Sequence, residues 1–159
     1  MHRVAVGRAL VGIPATMLTT ESGALPYYSG WRSFDVLGLN SEEIARNGLS
    51  PAYLEETSPD LVALLDYCGE KDRERDFRTI EEYMVKKNFI TVAVVHKSFN
   101  AYHNYFVNPD SEYFGIITER LLEVDGVTYA DMEKRMFKDT IPAYERYNKL
   151  PAYNFNRNN

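Results

Sequence analysis

Five consecutive apolar residues, Leu61-Val62-Ala63-Leu64-Leu65, leave no polar position between them. A strand with one solvated face alternates apolar and polar side chains. An unbroken run of this length therefore reads as a strand covered on both faces. Phe89 to Val95 is the clearest further strand, and Ala15 to Thr19, Ser33 to Leu37 and Tyr102 to Val107 read as strands too. Helical signals lie between them. Val4, Ala5, Ala9 and Ile13 are helically spaced within residues 3–13, and Pro14 stops that helix. Asn40-Ser41-Glu42-Glu43 resembles a capping box with Asn40 as N-cap, closed by Asn47-Gly48. Ser50-Pro51 places an N-cap before a proline at the first helical position. Phe77, Ile80, Tyr83 and Met84 share one helix face. Ser111 reads as the cap of a helix carrying Phe114, Ile117, Leu121 and Leu122, and residues 129–138 read as one further helix.

Strands alternating with helices predict an α/β fold. The expected form is a single layered sandwich, with a mostly parallel or mixed sheet of about five strands and flanking helices. One domain is expected over residues 1–150, followed by a disordered tail over 151–159.

Composition narrows the function classes. A net charge of −5 over 159 residues argues against a broad nucleic-acid surface, which needs clustered Lys and Arg. The single cysteine, Cys68, excludes an internal disulfide framework and a four-cysteine zinc site. Its place beside Gly69 reads as a half-buried small hydrophobe. The apolar runs are far shorter than the roughly 20 residues of a membrane helix, so no direct membrane span is expected. Residues 1–13 look somewhat like a signal peptide, but Arg8 interrupts the apolar stretch and the segment reads as an ordinary helix. Twelve tyrosines against one tryptophan suit a surface that meets something partly polar, such as a sugar or a partner protein.

The segment Thr19 to Trp31 follows the first strand, where α/β sheets gather ligands, and it reads as a loop. Gly23 and Gly30 permit positive φ, Pro26 stiffens the turn, and Tyr27, Tyr28 and Trp31 supply flat faces with polar edges. The segment is either a ligand or acceptor loop, or a wide connection whose aromatics cover the sheet edge. Asp35 lies inside an apolar strand, where a carboxylate needs partners. Those partners are expected to be backbone N–H groups of the Gly23–Ser29 loop, the other option being a ligand. Asn40 reads as a helix cap. His96, His103 and Asp110 are the one candidate metal set in the sequence. Their spacing fits no familiar ligand pattern, and His96 with Lys97 is expected to meet solvent, so no metal is assigned. Ser29 lacks a nucleophile-elbow context. There is no phosphate loop or dinucleotide fingerprint, so no cofactor is expected, and the charge run Glu70 to Arg78 reads as a solvated face.

Three strings carry a resemblance: Glu21-Ser22-Gly23-Ala24-Leu25-Pro26-Tyr27-Tyr28-Ser29, then Phe34-Asp35-Val36-Leu37-Gly38-Leu39-Asn40, then Glu43-Ile44-Ala45-Arg46. Together they resemble the soluble domain that follows the last membrane span of bacterial multispanning glycosyltransferases. Those enzymes use polyprenyl-phosphate sugars and are related to protein mannosyltransferases and arabinofuranosyltransferases. Ser58-Pro59-Asp60-Leu61-Val62 is similar to the Pro-Asp step of that family. The likeness covers residues 1 to about 107 and is best in the first 65. Ser41 stands where the family often has Asp. The family's catalytic aspartate belongs to its membrane part, which these residues do not contain.

The resemblance thus implies a non-catalytic, extracytoplasmic accessory domain without catalytic residues of its own. Its partners would be a glycan or lipid-linked sugar acceptor, and a membrane-embedded transferase portion in cis or in trans. Glu21, Tyr27, Tyr28, Ser29, Trp31 and Asp35 are its ligand-binding candidates, with Gly23, Pro26, Gly38 and Asn40 as structural positions. Two other readings compete. One is a free-standing small α/β sugar hydrolase using Glu21 and Asp35, whose carboxyl groups would need to stand roughly 5–10 Å apart. The other is a protein-interaction module that meets its partner through the tyrosines.

Overall fold

The computed structural model describes residues 2–66, 74–98, 101–125 and 127–129. In chain order they form α1 (His2–Ala9), β1 (Thr16–Thr19), α2 (Ala24–Ser29), β2 (Arg32–Asp35), α3 (Glu42–Asn47) and α4 (Pro51–Thr57). Then come β3 (Leu61–Asp66), α5 (Glu74–Lys86), β4 (Ile90–Ser98), β5 (Ala101–Val107), α6 (Phe114–Leu122) and β6 (Thr128–Tyr129). The strands make one six-stranded sheet of order β2-β1-β3-β5-β4-β6. β1 is parallel to both β2 and β3, whereas β3–β5, β4–β5 and β4–β6 are antiparallel. The sheet is therefore mixed, as expected for the α/β class.

The apolar run in β3 is explained by its two neighbours and two covered faces. Leu61 and Ala63 join a core with Val6 and Leu10 at α1, Leu25 of α2, and Ile117 and Leu121 of α6. Val62 and Leu64 point the other way, into a core with Ile44 of α3, Leu54 of α4, and Ile80 and Met84 of α5. All five residues of the run are almost fully buried. Burying its Leu and Val side chains stabilises by about 1.5–3 kcal/mol each, which makes this strand the spine of the fold.

Asp60 ties the strands at their amino ends. Its Oδ2 accepts from Thr16 N at 2.8 Å and from Thr16 Oγ1 at 3.0 Å, and its Oδ1 accepts from Ser111 Oγ at 2.6 Å.

Several local expectations are corrected. The predicted loop over Ser22–Trp31 contains α2. Pro26 sits in the first turn of this helix, where a missing N–H costs nothing, and Gly30 ends it at φ 70° by donating to Pro26 O. Gly23 precedes the helix at φ −99°, so it does not use positive φ. The cap of α3 is Ser41, whose Oγ accepts from Ile44 N, rather than Asn40. Ser50 and Pro51 stand as expected at the start of α4. Ser111 does not cap α6 by its side chain. Its hydroxyl serves Asp60 and Tyr113 N, and Tyr113 is the residue that precedes the helix. Tyr129, the first residue of the helix expected over 129–138, pairs with β4 instead, as does Thr128 before it. The rest of that predicted helix, Cys68, and the tail over 151–159 lie outside the described residues.

Candidate functional site at the carboxyl ends of the parallel strands

After β1 the chain passes to α2 on one face, and after β3 it passes to α5 on the other. Adjacent parallel strands whose connections leave in opposite directions open a crevice at their carboxyl ends. The Thr19–Glu21 turn lies at that end of β1. Thr19 Oγ1 accepts from Glu21 N at 3.0 Å, and Thr20 Oγ1 accepts from Leu65 N at 2.8 Å, which fixes the turn against β3.

Four polar side chains converge there. Glu21 Oε2 is in contact with Arg3 Nη1 from α1. Glu21 Oε1 stands 3.6 Å from His103 Nε2 on β5. His103 pairs with Leu65 across the sheet, and Tyr105, two residues on and on the same face, pairs with Ala63. The His103 and Tyr105 rings lie 6.2 Å apart. Ala63 in turn pairs with Thr19, so Thr19, Ala63 and Tyr105 form one row across three strands. Exposure falls steeply inward. The Arg3 side chain is 26% exposed and that of Glu21 12%, while Tyr105 is fully buried. Burial pushes the Tyr105 phenol well above its ordinary range, with Arg3 opposing the shift and Glu21 adding to it. It is therefore a neutral hydrogen-bond donor at any physiological pH.

Of the sequence-predicted residues, only Glu21 belongs to this cluster. Trp31 is buried, and its indole N–H donates to Leu10 O at 3.0 Å, so it packs the junction of α1 and β2 instead of facing a ligand. Ser29 is buried too. Its hydroxyl donates to Pro26 O and accepts from Trp31 N, which closes α2. Asp35 is 3% exposed and accepts from Leu37 N at 2.9 Å and Asn40 N at 3.2 Å. It therefore holds the turn that follows its own strand and not the Gly23–Ser29 segment, whose backbone is engaged in α2. Asn40 contributes its backbone N–H to that turn. Gly38 completes the turn at φ 73°, and a Cβ there would stand 2.7 Å from Ala45 N, so no other residue fits.

Tyr27 and Tyr28 remain at the surface. Tyr27 is 79% exposed, its ring is edge-on to that of Tyr28 at 5.1 Å, and the Arg8 guanidinium stands 5.2 Å from the Tyr28 ring centre. This is a cation–π contact of the exposed kind.

Arg3, His103 and Tyr105 were not expected at a site with Glu21. The available signal was the pair His103-Asn104 inside the strand Tyr102–Val107, because polar groups buried in a strand require partners. Of the candidate metal set His96, His103 and Asp110, the last two are separated along β5. His103 lies at the carboxyl end of β3, and Asp110 lies beyond Val107, which pairs with Leu61 at the other end. Among the described residues, no group of three or more His, Cys, Asp or Glu is placed to hold a metal ion. Among them also, no helix is long and apolar enough to cross a membrane. On the opposite face, Leu37, Ile44 and Phe77 line a groove of about 320 Å³ between α3 and α5. Asp76 at its edge accepts from Leu49 N.

No curated protein and no solved structure matches the chain. The family described as Domain of unknown function (DUF8728) matches residues 2–113. That span holds β1 through β5 and each of Arg3, Glu21, His103 and Tyr105. On this match, the chain belongs to the DUF8728 family.

Proposed function

We propose that this chain is a non-catalytic accessory domain of an extracytoplasmic, polyprenyl-phosphate-sugar-dependent glycosyltransferase. It holds acceptor glycan at the α1–α2 surface. The observation that carries this reading is Tyr27, an aromatic ring presented almost fully to solvent and braced edge-on by Tyr28, itself under Arg8. A sugar ring stacks on such a face through its C–H groups, while the nearby guanidinium supplies donors to its oxygens. The strings that resemble the transferase family also act mainly as joints in the fold. Asp35 and Gly38 set the turn after β2, Ser29 closes α2, and Asp60 ties β1 to β3. That use supports an accessory role over catalysis. Glu21 and Asp35, the pair a hydrolase would need, belong to separate networks, one with Arg3 and His103 and one with backbone N–H groups.

The test is calorimetric titration with manno- and arabino-oligosaccharides, because Trp31 is buried and its fluorescence reports on the core. Saturable binding that is lost in Tyr27→Ala supports the reading. Absence of binding, or binding indifferent to Tyr27→Ala, overturns it. Chromogenic glycosides should not be turned over, and steady turnover abolished by Glu21→Gln would restore the hydrolase reading.

A further inference from the structure

We infer that the glycan held at Tyr27 is acidic and that Arg8 binds its carboxylate, an inference that rests on the glycan reading above. The packing of α1 on α2 sets the geometry. Gly7 lies so close to α2 that a Cβ on it would stand 2.9 Å from Leu25 O and 2.9 Å from Tyr28 Cβ. Tyr28 is therefore held against α1. Arg8, the next residue along that helix, places its guanidinium over the Tyr28 ring, 5.2 Å from the centre. Tyr27 meets Tyr28 edge-on at 5.1 Å, and both Tyr27 and Arg8 are exposed.

The charge of Arg8 identifies the ligand. Among the described residues Arg8 makes no ion pair and donates no hydrogen bond, in a chain with 23 acidic residues against 18 Lys and Arg. Neither α1 nor α2 contains an Asp or Glu. Glu21, between the two helices, is in contact with Arg3 and stands 3.6 Å from His103. These two helices are thus locally positive on a chain whose net charge is −5. An anionic ligand is drawn to such a patch and repelled by the chain as a whole, which makes the patch selective.

The form of the cation favours a carboxylate over a neutral sugar group. An aromatic face takes none of the N–H groups of a guanidinium in a conventional hydrogen bond, so the fork of Arg8 stays open to an oxyanion. A carboxylate matches that fork with two parallel bonds, whereas a sugar hydroxyl takes one and leaves the charge uncompensated. The path from the Tyr27 ring to the guanidinium is two steps of 5.1 and 5.2 Å, short enough for neighbouring units of one glycan. A uronic acid next to the sugar stacked on Tyr27 carries its carboxylate to Arg8.

The experiment is calorimetric titration at low salt with a mannuronate oligosaccharide and with its carboxyl-reduced form, the mannose oligosaccharide of the same length and linkage. Wild type should bind the acidic ligand about fivefold more tightly, as expected of one exposed ion pair, and added salt should erase the difference. Arg8→Gln should bind the two ligands alike, Arg8→Lys should keep part of the preference, and Tyr27→Ala should lose both ligands. Equal binding by wild type, or a preference that survives Arg8→Gln, overturns the inference, while the glycan reading stands if the mannose ligand still binds through Tyr27. If wild type binds neither ligand, both fail. Arg8-dependent sedimentation with phosphatidylglycerol vesicles in that case would assign the face to an anionic membrane surface instead.

Discussion

Ser111 Oγ donates a 2.6 Å hydrogen bond to Asp60 Oδ1, joining residues 51 positions apart. Asp60 opens β3 and Ser111 precedes α6, so one carboxylate fixes where the last described helix meets the sheet. The same carboxylate takes both donors of Thr16 at the start of β1. Replacement by alanine strands three donors at once. Asp60→Ala should destabilise by roughly 2–4 kcal/mol, with Asp60→Asn recovering part of it. Urea unfolding measures this as a lower midpoint at unchanged slope. An unchanged midpoint for Asp60→Ala would show that solvent replaces the carboxylate.

Asp35 is the second carboxylate with a structural role. Asp35→Ala frees the N–H groups of Leu37 and Asn40 in the turn that places Gly38 against α3. A loss of about 1–3 kcal/mol is expected. Hydrogen exchange should localise it, with faster exchange at Leu37 and Asn40 and no change at Tyr27 or Tyr28. Accelerated exchange through α2 instead would return Asp35 to the first segment, as the sequence alone had it.

Two helical glycines should respond in opposite directions. A Cβ on Gly7 would stand 2.9 Å from Leu25 O and 2.9 Å from the Tyr28 Cβ, so α1 and α2 must part to admit it. Gly7→Ala should cost roughly 1–3 kcal/mol by overpacking. Gly115, in the first turns of α6, has nothing within 4 Å of such a Cβ. Gly115→Ala should therefore stabilise by about 0.5–1 kcal/mol through helix propensity and unfolded-state entropy. Thermal melts of the two variants would contradict this packing if both moved the same way.

The pH dependence has a defined sign on the alkaline side. Burial holds the Tyr105 phenol neutral in the folded state, whereas the unfolded chain ionises it near pH 10. Its contribution is complete below the unfolded pKa and is lost as pH rises from there toward the raised folded value. The slope is at most about 1.4 kcal/mol per pH unit. Burial raises Tyr83 as well, so the effect is shared. Stability measured between pH 9 and 11 should fall less steeply in Tyr105→Phe than in wild type. Parallel curves would mean that the Tyr105 hydroxyl is solvated.

Much of the fold was legible locally. The unbroken Leu61–Leu65 run gave away a strand with two covered faces, because only a doubly buried strand has no use for alternation. The face Phe77-Ile80-Tyr83-Met84 sits inward on α5, and Ser50-Pro51 starts α4, because spacing and capping act within one or two turns. The errors were local competitions decided by packing. Ala24–Ser29 looked like a loop for its proline and the flanking Gly23 and Gly30, yet Leu25 is fully buried against α1, and that contact makes a short helix worthwhile. Trp31 looked like a binding residue and is a core residue, since Leu10 O lies within reach of its indole.

The candidate site was far less legible. Periodicity alone determined which side chains share a face, and composition alone predicted a tyrosine-rich surface. Only the tertiary structure decided that Arg3, Glu21, His103 and Tyr105 meet. They come from a helix, a turn and an inserted antiparallel strand, and their proximity depends on β5 lying beside β3 in one register. Strand order and register are fixed by the summed packing of both sheet faces, and no short stretch of sequence carries that sum.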